Sequence, residues 1–129
     1  YKLGNVEIFS DDIFKTNLRD NYYDIIFSAS VLEHFQDVEF VIKILKNKLK
    51  ENGILIFSSP TENYIYKIGR ILTGYDKYQD PLDIHYFGAS EIAEKAKRYF
   101  DFVKSYSIPL NIKFFPLHSV YLFVKKKSI

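Results

Sequence analysis

The chain carries three histidines and no cysteine, which fixes much of the chemistry open to it. A neutral imidazole near pH 7 can take a proton from a hydroxyl group, so His85 is a candidate general base. A surface or hydrogen-bonded histidine is the competing reading. Along the chain His85 has only Asp83 as a nearby ligand-type residue, and no His-x-x-x-His pair occurs, so no metal site is expected. Glu33 and His34 stand together on one short turn; either they act in a site or both bond the backbone near the next helix. His118 stands alone in a connection and is assigned nothing. Without cysteine there is no thiolate zinc site, no cysteine nucleophile and no disulfide. Ser-His-Asp and Walker-type glycine signatures are absent as well.

The elements that must position these residues follow from periodicity. Val6–Phe9 is a short β-rich run that ends at the turn residues Ser10-Asp11-Asp12. Tyr22–Phe27 is a second strand, apolar enough to be buried on both faces as in a parallel sheet. Asp37 then stands where a helix N-cap belongs. Val38, Val41, Ile42, Leu45 and Leu49 form a helical stripe, and Asn52-Gly53 closes that helix. Ile54–Phe57 is a third strand. Residues 62–86 hold five tyrosines, a short helix up to about Thr73-Gly74 and a loop with Pro81. Tyrosine combines an apolar body with a polar tip, so this segment reads as a lid over an acceptor or as a packed helix with a loop. Gly88 or Ser90 caps a further helix with Ile92, Ala96, Tyr99 and Phe100 on its apolar side. Phe102–Ile108 and Val120–Val124 are the last strands, joined by about ten loop residues and therefore antiparallel.

Strands alternating with helices predict an α/β sheet that is largely parallel. Ligands of such sheets bind outside the carboxyl ends of the strands. That rim collects Asp11, Asp12, Ser28, Ala29, Ser30, Ser58, Pro60 and Thr61. Length and composition agree with one domain: 129 residues, 47% hydrophobic and 26% charged. The longest apolar runs fall far short of the ~20 residues of a membrane helix. A net charge of +2 gives no nucleic-acid footprint, and Lys125–Lys127 reads as a solvated tail. The simplest compartment is the cytoplasm.

Taken together, Tyr23–Phe35, the Asp37–Lys50 helix and Gly53–Pro60 resemble class I S-adenosylmethionine-dependent methyltransferases. The small-molecule group that includes ubiquinone-biosynthesis methyltransferases is the nearest in flavour. The aspartate opening the strand (Asp24), Val31-Leu32-Glu33-His34 after it and Gly53 before the next strand carry the likeness. Val6–Ile13, Ile84–Ile92 and the last two strands extend it over nearly all 129 residues. The resemblance implies a doubly wound, Rossmann-like sheet, S-adenosylmethionine as cofactor and a small-molecule methyl acceptor. It places Asp12 on the adenine amino group, Ile13 beside the ring, and the Ala29 carbonyl on the methionine ammonium. A turn aspartate bonding its own backbone, and a small packed residue, are the competing readings of Asp12 and Ala29. His34 and His85 would then lie on the acceptor side.

Two features of that family are missing. No Gly-x-Gly-x-Gly turn occurs, and no acidic residue is placed to hold the ribose hydroxyls. The family's seven-stranded sheet would need two further strands upstream of Tyr1. The expectation is therefore the carboxyl-terminal part of a methyltransferase domain, inactive in isolation. Its strand at Ile25–Phe27 would keep an unpaired edge open to a second copy. A non-catalytic, partner-binding module of methyltransferase shape is the alternative.

Overall fold

The structure is a computed structural model that describes residues 5–61, 68, 71–72, 84–108 and 117–126. It contains β1 (Tyr23–Ala29), a 3-10 turn (Leu32–His34), α1 (Val38–Lys48), β2 (Leu49–Pro60), α2 (Ala89–Ala96), β3 (Phe100–Ile108) and β4 (His118–Lys125). The strands form one sheet in the order β1-β2-β4-β3. β1 runs parallel to β2, with Ile25 beside Ile54 and Ala29 beside Ser58. β4 enters between β2 and β3 and is antiparallel to both. The α/β sheet and its antiparallel last strand are as the sequence predicts.

α1 starts where its capping residue stands. The Asp37 carboxylate accepts from the Phe40 N–H at 3.0 Å, satisfying one of the unpaired donors of the first turn. Val38, Val41, Ile42 and Leu45 are buried. They meet Leu55 and Phe57 of β2, Phe123 of β4 and Ile92, Ala93 and Ala96 of α2 in one core. Phe57 stacks on Phe123 with ring centroids 5.9 Å apart. In α2 the Glu91 carboxylate accepts from the Gly88 N–H at 2.9 Å and so closes the helix start. Glu39 on α1 accepts from the Tyr99 hydroxyl at 2.6 Å and from Arg98 at 2.9 Å, tying the two helices together.

Four expectations are corrected. Val6–Phe9 is not a strand, and Ile8 is 92% exposed. A strand exists through its ladder, and none of the described strands pairs with this run. The first helix ends at Lys48, not at Asn52-Gly53. Leu49 turns to extended backbone, enters the core and pairs with Tyr23. Asn52, at φ 59°, takes the left-handed conformation in place of Gly53. Gly53 is required for space: a Cβ there would lie 2.8 Å from the Lys50 carbonyl oxygen. The sheet is covered on one face only among the described residues. Ile25 and Phe27 of β1 are 56% and 63% exposed, on the face opposite the two helices. Lys125 is buried rather than a solvated tail residue. Its ammonium donates to the Leu49 carbonyl at 2.6 Å and to Asn21 Oδ1 at 3.0 Å.

Two outcomes follow from this packing. Gly53→Ala forces the Lys50 carbonyl to move and should destabilise the fold by about 1–3 kcal/mol in urea titrations. The Tyr99 hydrogen bond, together with the Arg98 charge, lowers the Glu39 pKa against the opposing effect of desolvation. A depressed carboxylate pKa gives stability that is present above the unfolded value and lost as pH falls through the folded one. Glu39→Gln should therefore lower stability at pH 7 and flatten the acid limb, as read by thermal unfolding from pH 7 to pH 3.

Candidate functional site

The end of β1 builds the site. Ser30 follows Ala29 with φ 49°, and its N–H donates to the Ser58 carbonyl at 2.9 Å. That bend carries the chain off the sheet into the 3-10 turn. Leu32 and Glu33 are buried there, and His34 is half-buried. Residues 84–86 lie alongside the turn. The Tyr86 N–H donates to the Glu33 carbonyl at 2.8 Å, and His34 Nδ1 lies 3.2 Å from the Ile84 carbonyl. A carbonyl only accepts, so Nδ1 carries the proton and Nε2 keeps its lone pair in the neutral ring. His85 is thereby set against His34, edge to face, with ring centroids 4.8 Å apart.

Glu33 completes a cluster. One ligand-type atom from each of Glu33, His34 and His85 lies within 4.8 Å of the others. Glu33 is 1% exposed, and among the described residues neither carboxylate oxygen has a hydrogen-bond partner. Bonding of its side chain to nearby backbone, one reading of the sequence, is thus not observed; its backbone carbonyl makes the bond instead. A buried carboxylate that makes no hydrogen bond is costly, so this residue is placed at an energetic cost. Along the chain itself, His85 has only Asp83 as a nearby ligand-type residue. The fold brings in Glu33 and His34 from 52 and 51 positions away.

The remaining candidates flank this cluster. Asp12 is exposed, and its Oδ1 accepts from the Phe14 N–H at 3.0 Å. It therefore makes a turn of its own backbone, which leaves its second oxygen for another donor. Phe14 fixes the turn by stacking on Phe40 at 5.9 Å and meeting Phe35 edge-on at 5.6 Å. Phe35 ends the 3-10 turn, so the Asp12 turn is held at the β1 rim. Ile13 is half-buried and packs against the core. Ala29 is exposed and sits beside Ser58. His118 begins β4 opposite Pro60. Of the tyrosine-rich 62–86 segment, only 68, 71–72 and 84–86 are among the described residues. A cavity of about 700 Å³ lies elsewhere, between residues 5–11 and 17–23. None of Asp12, Ile13, Ala29, His34 or His85 lines it. Its walls are mostly exposed side chains of a segment without secondary structure, and the rim is the better-built site.

A protein family described as "Methyltransferase domain" matches residues 1–57. No curated protein matches the chain. Among solved structures, the PH0226 protein of Pyrococcus horikoshii OT3 superposes with a TM-score of 0.68 at 16% identity, covering 95% of this chain and 60% of that one. A SAM-dependent methyltransferase of Methanosarcina mazei gives 0.69 at 16% identity, covering 92% and 66%. The N-methyltransferase NodS of Bradyrhizobium japonicum WM9, in complex with S-adenosyl-L-homocysteine, gives 0.63 at 16% identity, covering 91% and 53%. This chain has the methyltransferase fold. It spans 60% and 53% of the PH0226 and NodS chains.

Within that methyltransferase fold the orphan carboxylate is the most exposed to test. Glu33→Gln keeps the shape and removes the charge. In EDTA-treated buffer at pH 7 the variant should be more stable than the wild type by about 1–2 kcal/mol, read by urea unfolding.

Proposed function

We propose that this chain is the carboxyl-terminal part of an S-adenosylmethionine-dependent methyltransferase that acts on a small-molecule acceptor. The observation that carries the reading is the juxtaposition at the β1 rim. Two imidazoles, the last residue of a parallel strand and an anchored Asp12 turn gather there, in a fold whose relative NodS was solved with S-adenosyl-L-homocysteine. The match of residues 1–57 to a methyltransferase domain supports it.

In this reading the second Asp12 oxygen accepts from the adenine amino group and the Ile13 N–H donates to the ring. The Ala29 carbonyl accepts from the methionine ammonium. His34 and His85 serve the acceptor. Methyl transfer is a displacement at the sulfonium methyl carbon. The acceptor's lone pair forms the new bond, and the C–S pair leaves on a neutral thioether that needs no acid. The protein's main task is alignment, which can supply about 7–11 kcal/mol. Proton removal is needed only for an acceptor that carries a proton on the attacking atom, and in this reading the histidines serve that step.

The missing Gly-x-Gly-x-Gly turn and ribose carboxylate set the expected affinity. The β1 edge and the sheet face left uncovered among the described residues are where further strands and helices would dock in this reading. Residues 1–129 alone should therefore bind the cofactor weakly. Pairing of two copies along β1 is a second way to cover that edge, and sedimentation distinguishes the two. A partner-binding module without catalysis draws support from the absent glycine turn alone.

Adenine lies far from the transferring methyl, so its contacts contribute equally to ground and transition states. Asp12→Ala should then weaken S-adenosylhomocysteine binding about 10–150-fold, the value of one charge-assisted hydrogen bond, with turnover nearly intact. His85→Ala should lower turnover about 10²–10⁴-fold on any acceptor the wild type methylates, with cofactor affinity unchanged. Calorimetry and steady-state kinetics on the complete protein check both. An Asp12 variant that loses turnover while keeping its cofactor affinity contradicts the adenine assignment. A complete protein that binds no S-adenosylhomocysteine favours the partner-binding module.

A further inference from the structure

We infer that Glu33, His34 and His85 form a binding site for one divalent transition-metal cation. Three observations converge on it. The ligand-type atoms of the three side chains already lie within 4.8 Å of one another. Metal–ligand bonds of about 2.0–2.2 Å place neighbouring donor atoms about 3.0–3.5 Å apart. A closure of roughly 1–2 Å completes the shell. The Glu33 carboxylate is 1% exposed, and among the described residues both oxygens lack a hydrogen-bond partner. A cation beside it supplies the missing partner. The ligands are also oriented from behind. His34 directs Nδ1–H to the Ile84 carbonyl, the supporting bond typical of metal-bound histidine, and leaves Nε2 as the ligand atom. The Tyr86–Glu33 backbone bond holds the His85 segment in place.

The donor set selects the metal. Two imidazoles and one carboxylate suit Zn²⁺, Mn²⁺, Fe²⁺ or Co²⁺, whereas Ca²⁺ and Mg²⁺ prefer shells of oxygen. Three protein ligands leave at least one position open to water or to an oxygen of a bound molecule. The binding claim stands without the methyltransferase reading. Its consequence for catalysis rests on that reading. An acceptor hydroxyl on the open position gives up its proton more readily, because the cation stabilises the oxyanion. The proton passes to solvent, the oxygen bonds the sulfonium methyl, and the C–S electron pair leaves on sulfur. The site thus favours an oxygen acceptor that can reach the metal, such as an enol or a phenol. His34 and His85 then act by holding the cation.

The test uses the untagged full chain, stripped with EDTA and dialysed. Titration calorimetry with ZnCl₂ and with MnCl₂ should show one cation per chain, and elemental analysis after gel filtration should recover it. Glu33→Gln and His85→Ala should each weaken binding more than about 100-fold, the upper end of what losing a mere supporting partner costs. His118→Ala, outside the cluster, should bind as the wild type does. Circular dichroism verifies that each variant is folded. Should Glu33→Gln fail to fold, the electron spin-echo spectrum of the Mn²⁺-loaded wild type decides, since two histidine nitrogens should couple to the metal. Absence of binding up to millimolar cation overturns the site, as does equal binding by wild type, Glu33→Gln and His85→Ala. S-adenosylhomocysteine is titrated into the same preparations. Cation uptake in a protein that never binds it supports the metal site while overturning the methyl-transfer reading.

Discussion

The parallel pairing of β1 with β2 is the constraint on which the rest depends. Parallel neighbours cannot be joined by a hairpin, so the chain must leave the carboxyl end of β1, cross the sheet and return. The 3-10 turn and α1 make that crossing. Both strands consequently end at one rim, where Ser30 bonds the Ser58 carbonyl and the chain bends at a positive φ. Every candidate for chemistry is placed by that bend or by what packs on it. Glu33 and His34 ride the turn itself. His85 is brought in by the Tyr86 and Ile84 backbone, and the Asp12 turn by Phe14 on Phe35 and Phe40.

The same sheet is stabilised unevenly. One face is covered by α1 and α2 over Leu55, Phe57 and Phe123. The other presents Ile25 and Phe27 to solvent, and β1 has no described neighbour on its outer side. Exposed apolar area of this kind gains nothing from the hydrophobic effect until something covers it. The rim inherits the asymmetry: the histidine cluster is braced by hydrogen bonds, whereas Ala29 lies on the open face. The acceptor side of the proposed site is thus better built within this chain than the cofactor side.

Local patterns made most of this fold legible. The apolar runs at Ile25–Phe27, Ile54–Phe57 and Val120–Val124 marked three strands, and the Asp37 cap with its stripe marked α1. Non-local facts were not legible. Val6–Phe9 has β propensity, but propensity does not provide a partner strand. A continuous apolar run does not tell which of its faces is covered, so one-sided burial stayed hidden. Gly53 was read as a helix stop, whereas the structure needs it for the close approach of Lys50. In the site, the Glu33-His34 pair and His85 were visible as residues. Their meeting depends on one backbone hydrogen bond and one from the His34 ring to a backbone carbonyl, both across some fifty positions. Ile84 and Tyr86, alternating about His85, were a hint of an extended segment laid against the rim.

The central claim is that the β1 rim, and not the cavity along residues 5–23, is the ligand site. Amide chemical shifts of the ¹⁵N-labelled protein, followed by NMR as S-adenosylhomocysteine is raised to millimolar levels, test it directly, because weak binding is still seen. The account predicts shifts at Asp12, Ile13 and Phe14 and from Ala29 to His34. Shifts confined to Val6, Glu7, Arg19, Tyr22 and Tyr23, or none at all, would contradict it.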